Sequence, residues 1–370
     1  MVFAQMINSN HRLTDSPIHP FGDIYKGKRI LVTGDTGFKG SWLSLWLHEL
    51  GAEVLGFSLP PERDNDHFNL LGLDRIIQHV SGDIRDLTSL MNLFNDFQPE
   101  FLFHLAAQPL VRLSYEEPKL TFDTNVGGSV NILEAAKTTP SLRVLIYITS
   151  DKCYKNKEWL WGYREIDELG GHDPYSASKA AAELVFSSYM DSFFTKRINF
   201  GAASVRAGNV IGGGDWASDR IVPDSIKSLL SHQPITLRNP NSTRPWQHVL
   251  EPLYGYLLLS SKLYSEPKVY SGSWNFGPNE KSIKTVKELT EKIVACWGAG
   301  DIQVAPHNDA PHEARLLHLN CDKAHQMLGW YPRWDFERTV TETVRWYKDV
   351  TAGRTAIEMS RQQIKDYVEA

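Results

Sequence analysis

A doubly wound α/β fold, a parallel sheet with helices on both faces and a smaller C-terminal α/β lobe, is predicted by three observations. From Lys28 onward, short β-branched apolar runs alternate with longer stretches whose apolar residues recur at three- and four-residue steps. A glycine-rich turn, Gly34-Asp-Thr-Gly-Phe-Lys-Gly40, lies between the first run and the first helical pattern. Polar, ionisable residues follow a later apolar run, at the carboxyl end where such sheets hold ligands.

The run 29–33 reads as a buried strand. The helix after it covers 41–50, with Trp42, Leu45, Trp46 and Leu50 on one face and Gly51 as its stop. Further strands are predicted at 53–57, 101–105 and 143–148, another ends near Gly82, and helices fall at 88–97 and 121–137. Asp173-Pro174 opens a helix through 176–190, because Asp caps a helix N-terminus and proline suits the first helical position. Past Val210 the composition changes. Gly212-Gly-Gly214, Pro223, Pro234, Pro240 and Pro245 punctuate shorter elements. The expected division is a poorly ordered tail over 1–24, a dinucleotide-binding domain over 25–208, and a substrate lobe over 209–370 with some segments returning to the first domain.

Composition excludes several classes. Of 370 residues, 42% are hydrophobic and 22% charged, which rules out collagen-like and largely disordered chains. Lys and Arg number 39 against 44 Asp and Glu, and without a long basic run the formal charge of −5 argues against a nucleic-acid partner. Cys153, Cys296 and Cys321 are too widely spaced for a CxxC zinc pair or a disulfide framework. The first twenty residues lack the apolar segment of a signal peptide, and no run is long enough to span a bilayer, so a cytoplasmic protein without membrane contact is expected.

In the glycine turn, small residues let backbone N–H groups approach a pyrophosphate at a helix N-terminus. Gly34, Thr36, Gly37, Phe38, Lys39 and Gly40 are therefore cofactor candidates. The acid expected about 20 residues later, on the adenosine ribose, is missing. Ser58 can bond a ribose hydroxyl there and Arg63 can answer a 2′-phosphate, so this position leaves NAD and NADP both open; a merely solvated Arg63 is the plainer alternative. Asp83, at the end of the third strand, can accept from an adenine amino group.

Tyr175-Ser-Ala-Ser-Lys179 puts a phenol and an ammonium on one helix face. That proximity is expected to lower the phenol from a pKa of about 10 toward the range of a general base. Such pairs also occur by chance on solvated helices, and the upstream glycine turn gives this one its weight. In Thr149-Ser-Asp-Lys-Cys-Tyr154, Ser150 can bridge a substrate alcohol to Tyr175, while Asp151 and Lys152 offer a donor and an acceptor for a further proton transfer. The alternative there is a polar loop with a surface ion pair. His307, His312 and His318 lack a compact ligand spacing, and no metal site is predicted.

The glycine turn, His104-Leu-Ala-Ala107, Ser150 and the Tyr175/Lys179 pair, in that order, resemble an extended short-chain dehydrogenase/reductase over about 26–332. Leu328-Gly-Trp-Tyr-Pro332 is similar to the family's C-terminal LGW-x-P. Asp151-Lys152 resembles the acid and base, usually Asp-Glu, that nucleotide-sugar 4,6-dehydratases carry directly after the catalytic Ser/Thr; simple epimerases lack them. Together with the segment from Arg206 to Trp216 and Thr243-Arg-Pro-Trp-Gln-His248, this implies CDP-glucose as substrate and NAD as cofactor. The alternatives are dTDP-glucose or GDP-mannose, or a non-catalytic NAD(P)-binding regulator on the same fold.

The resemblance adds Ile84, Leu105, Ala106 and Ala107 to the cofactor set, and Asn209, Arg220, Arg244 and Arg315 as sugar-nucleotide contacts. It implies a redox-neutral cycle. Tyr175, assisted by Ser150, takes the 4-hydroxyl proton while hydride leaves C4 for NAD; Lys179 holds the nicotinamide ribose. A base at Lys152 removes the C5 proton, Asp151 protonates the departing 6-hydroxyl, and the hydride returns to C6. A lysine base must be neutral, and from a reference pKa near 10.4 this costs about 4.6 kcal/mol at pH 7 unless the site lowers it; the rival role for Lys152 is to orient water or Asp151. The resemblance also implies a homodimer or dimer of dimers built on the helices at 121–137 and 175–190, and supply of a deoxysugar for an O-antigen type lipopolysaccharide.

Overall fold

A computed structural model describes residues 20–305 and 316–370. Seven strands form its main sheet: β1 (Arg29–Thr33), β2 (Glu53–Ser58), β3 (Gln78–Ser81), β4 (Phe101–His104), β5 (Val144–Ile148), β6 (Gly201–Ala207) and β7 (Gly272–Phe276). All pairings are parallel, in the order β7-β6-β5-β4-β1-β2-β3. The order reverses between β1 and β4, and ligands bind beyond the carboxyl ends of the strands at that point. Thr33 lies opposite Phe57 on one side and His104 on the other, and His104 opposite Tyr147, so four carboxyl ends finish level.

β4 and β5 are buried along their whole length because helices cover both faces, as their unbroken apolar runs predict. β6, Gly-Ala-Ala-Ser-Val-Arg-Ala, is equally buried yet built of small residues, and β7 reads Gly-Ser-Trp-Asn-Phe. Neither carries a β-branched run, and neither is predicted from the sequence.

The helix after β1 spans Phe38–Glu49, beginning at Phe38 rather than Ser41 because Gly37 itself is the cap. The helix predicted over 121–137 is three pieces: Pro118–Phe122, a π-type turn at Asp123–Gly127, and Gly128–Thr138. The widened turn carries Asn125 inward, where its side chain accepts from the Gln108 N–H (2.8 Å) and donates to Ser178 Oγ (2.9 Å). It thus ties the loop after β4 to the helix Pro174–Ser192, which the Asp173 carboxylate caps through Ser176 N–H as predicted.

Past β6 the chain forms short strand pairs and the helix Ile221–Leu230, then returns to the sheet as the helix Leu250–Ser265 and β7. Gly329, at φ +64°, ends the helix Asp322–Leu328, and Trp330 behind it is fully buried with its indole N–H on the Glu251 carbonyl. Residues 20–24 lie within the stretch expected to be a loose tail, but Phe21 is buried against Tyr25, Trp46 and Tyr254, so apolar packing holds the chain from Phe21 onward. Among the described residues no helix is long and apolar enough to cross a membrane.

Candidate active site

The glycine turn is a backbone contact between helix and strand. Gly34 sits at φ +79°, and a Cβ there would lie 2.7 Å from the Ala106 nitrogen. A Cβ on Gly40 would lie 1.9 Å from the Gly34 carbonyl oxygen. Gly37 caps the helix without a side-chain hydrogen bond, so the first N–H groups are left for an anion. This cradle fits the pyrophosphate of a dinucleotide. Gly40→Ala is expected to force the turn apart and to raise the NAD dissociation constant roughly tenfold or more in calorimetry; unchanged affinity would place the cofactor elsewhere.

Thr36 and Ser58 meet at the end of β2, hydroxyl to hydroxyl at 2.9 Å. Ala106 and Leu105 pass over the end of β1, where Leu105 N–H donates to the Thr33 carbonyl; Ala107 follows in the same loop. Phe38 instead leans toward Gly212 of the second lobe. Asp83, expected to accept from adenine, is already held by the Arg85 guanidinium (2.9 Å) and backbone N–H, which keep its carboxyl below the usual range. Asn131 donates to the Ile84 carbonyl, and a cavity of about 300 Å³ lined by Arg85, Asp123, Gly127 and Asn131 opens beside it. Arg63 turns to Glu62 and Asp66 at 3.4 and 3.6 Å.

At the carboxyl end of β5 the chain makes a single 3-10 turn over Asp151–Cys153, capped by Ser150. The Ser150 hydroxyl donates to Asp151 Oδ1 (2.9 Å), and Ser150 also acts on the Tyr175 phenol, pulling it down. Tyr175 and Lys179 are both buried on one face of their helix, the ammonium 6.0 Å from the ring centre. The expected lowering of the phenol is reversed in the protein alone. Burial pushes Tyr175 up to about 12, against the opposing pull of Ser150 and Arg220. Burial also brings Lys179 down to about 8, and Lys39 at the glycine turn to about 8.

Asp151 is buried and its carboxyl pushed up, chiefly by loss of solvent, with Lys152, Ser150, Lys39 and Arg244 pulling it back. A carboxyl that holds its proton longer suits an acid. Lys152, half-buried, stands beside it. Beyond β6 in the chain, Arg220 bonds Asp215 at 2.9 Å, and its charge is felt at Tyr175 and Lys39. Gly208, next to Asn209, lets the chain pass close to Asp151, since a Cβ there would lie 3.4 Å from Asp151 Oδ2. Arg244 adds positive charge near the same carboxylate. The cluster of Lys39, Lys179, Arg220 and Arg244 around one carboxyl and one phenol suits a diphosphate ester with a polar sugar. Arg315, together with His307 and His312, lies outside the described residues.

Two residues that the sequence did not single out complete the floor. Glu183 is one turn beyond Lys179 and forms a fully buried pair with Arg206 (2.7 Å), while the Thr149 and Ser204 hydroxyls donate to the same carboxylate. Its charge is what opposes the downward shift of Lys179. Removing either partner of such a pair costs about 3–5 kcal/mol, because the other is left charged and buried. The signal was the further four-residue step along the Tyr175/Lys179 face.

Comparison with known proteins follows the same lines. Residues 31–343 match the family model of GDP-mannose 4,6 dehydratase. The chain is 48% identical to a CDP-glucose 4,6-dehydratase of Salmonella typhimurium, over 94% of this chain and 98% of that protein. To a GDP-mannose 4,6 dehydratase of Cricetulus griseus the identity is 26%, over 90% and 95% respectively. The solved structure of DesIV, a dTDP-glucose 4,6-dehydratase from Streptomyces venezuelae with NAD and TYD bound, superposes with a TM-score of 0.74 at 24% identity, over 88% of this chain and 98% of that one.

Proposed function

Since the chain belongs to the GDP-mannose 4,6 dehydratase family, we propose that it is a hydro-lyase that converts CDP-glucose to CDP-4-keto-6-deoxyglucose. The observation that carries this reading is the Asp151-Lys152 pair directly after Ser150, facing Tyr175 across the carboxyl end of β5. The choice of CDP-glucose among nucleotide hexoses is supported by 48% identity to a relative of that name, against 26% for a GDP-mannose enzyme.

Each residue then has a task. Gly34, Gly37 and Gly40 seat the NAD pyrophosphate, Ser58 and Thr36 line its ribose end, and Lys179 faces the nicotinamide ribose. NAD, when bound, would supply a reversible hydride acceptor and a positive charge, which would oppose the burial that holds Tyr175 up. Tyr175, with Ser150 beside it, removes the proton of the sugar 4-hydroxyl. The resulting ketone acidifies C5–H. Lys152 takes that proton and returns one to C5 once C6 has been reduced, and Asp151, whose burial favours the protonated carboxyl, gives a proton to the leaving 6-hydroxyl, which departs as water. Incubation with NAD and CDP-, dTDP-, UDP- or GDP-hexoses, followed by mass spectrometry, tests the substrate. CDP-glucose is expected to lose one water with no net change in NAD; loss of water from another nucleotide sugar instead would overturn the nucleotide.

Arg220 and Arg244, with Asn209 and Arg315, are proposed to hold the nucleotide diphosphate. Arg220→Met is expected to raise KM roughly tenfold or more with kcat within about threefold; a fall in kcat alone would move Arg220 into the chemical step. Residues 25–208 would serve the cofactor and 209–370 mainly the sugar nucleotide. The protein is further proposed to work in the cytoplasm, supplying a deoxysugar for a surface polysaccharide, as a homodimer or dimer of dimers. Exposed Phe122, Leu184 and Phe193 on and beside the two proposed interface helices support that assembly. A single-chain mass on gel filtration would remove it.

A further inference from the structure

The end of β2 lacks the carboxylate that usually meets an adenosine ribose, yet it is not without negative charge. Asp35, the second residue of the glycine turn, is completely buried. It reaches back under the end of β2, accepting from the Ser58 hydroxyl at Oδ1 (2.8 Å) and meeting His79 Nδ1 at Oδ2 (2.7 Å). The space it occupies is reserved by sequence, since a Cβ on Gly56 would lie 1.9 Å from Asp35 Oδ2. No step proposed above uses this carboxylate.

We propose that Asp35 takes the place of the missing β2 acid and makes this site select NAD over NADP. Ser58 gives its own proton to Asp35 and receives the Thr36 N–H at 3.4 Å, while Thr36 Oγ1, 2.9 Å from Ser58 Oγ and 2.9 Å from the Leu59 carbonyl, has its own proton taken by one of them, so that the Thr36 oxygen meets a ligand with lone pairs only. That oxygen is an acceptor: it suits a ribose 2′-hydroxyl, which has a proton to give, and rejects a 2′-phosphate dianion, which has none. The buried Asp35 carboxyl, joined to this oxygen through Ser58, places further acceptor oxygens behind it, in surroundings that solvent screens poorly. Arg63, the cation within reach of this strand end in sequence, is engaged by Glu62 and Asp66, and the Asp66 carboxylate is itself fixed by the Glu62 and Arg63 N–H groups. His79 is the imidazole that the structure places against this carboxyl. Its Nε2 lies 3.3 Å from Ser81 Oγ and its ring against Phe68.

The inference rests on the dinucleotide reading of the glycine turn and adds the residue that discriminates. Calorimetric titration of the full-length protein with NAD and with NADP, at about pH 8.5 where an ordinary imidazole is neutral, tests both. Wild-type protein is expected to prefer NAD by roughly a hundredfold, and Asp35→Asn to shrink that ratio at least about tenfold through tighter binding of NADP. Structural damage cannot produce that gain. Asp35→Ser, which keeps a small polar group, carries the same expectation if the asparagine variant does not fold. Equal wild-type affinities, or variants that bind NAD while their ratio stays within about threefold of wild type, would overturn the role of Asp35 alone. Failure of the wild-type protein to bind either dinucleotide would overturn this inference and the reading beneath it.

Discussion

Tyr175→Phe is expected to lower kcat for dehydration by about 10²- to 10⁴-fold, the usual contribution of a positioned general base, while KM and NAD affinity change little. The substitution removes one oxygen and leaves the helix, its Asp173 cap and Lys179 in place. That oxygen lies near Ser150 and the Asp151-Lys152 turn, where burial pushes the phenol up against the opposing pull of Ser150 and Arg220. Ser150→Ala, which leaves the phenol itself in place, should cost less. A Tyr175→Phe enzyme within about threefold of wild type would show that the 4-hydroxyl proton leaves by another route.

The second large effect separates the acid from the base. Lys152→Gln is expected to stop exchange of the C5 hydrogen with deuterated solvent while the 4-ketone still forms and can be trapped on quenching. Asp151→Asn is expected to keep that exchange and to slow loss of water by about 10²- to 10⁴-fold. The asymmetry follows from surroundings: the Asp151 carboxyl is buried and pushed toward its protonated form, whereas Lys152 is half-buried beside it. If Lys152→Gln exchanges C5–H at the normal rate, Lys152 only orients its neighbours. If Asp151→Asn loses exchange as well, the two act as one unit and the separate roles are wrong.

Much of this site was legible because each part sits where local chemistry demands a particular residue. Gly34 and Gly40 are required by backbone contacts of 2.7 and 1.9 Å that a side chain would violate. Asp173 and Pro174 start the helix that presents Tyr175 and Lys179 on one face. β1, β2, β4 and β5 announce themselves as apolar runs. β6 and β7 do not, because strands packed closely between helices can be built of Gly, Ala and Ser, and the reason for those small residues lies in tertiary contact. The π-type turn at Asp123–Gly127 was hidden for the same reason: its purpose is the bond from Asn125 to Ser178, far away in sequence. Electrostatics was read with the wrong sign at Tyr175, since an i,i+4 lysine is visible in the text and full burial is not. Nothing in the sequence marks Asp35 within the glycine turn, because its place is defined by Ser58, His79 and Gly56, which are distant along the chain.

The central claim is that one bound cofactor carries a hydrogen from C4 of the sugar to C6 while water is lost between C5 and C6. CDP-glucose deuterated at C4, turned over by the protein with NAD in ordinary water, tests this in a single spectrum. The account predicts a product lighter by one water that retains the deuterium, now at C6. Dehydrated product without the label would contradict the internal transfer, and label retained without loss of water would contradict the dehydratase itself.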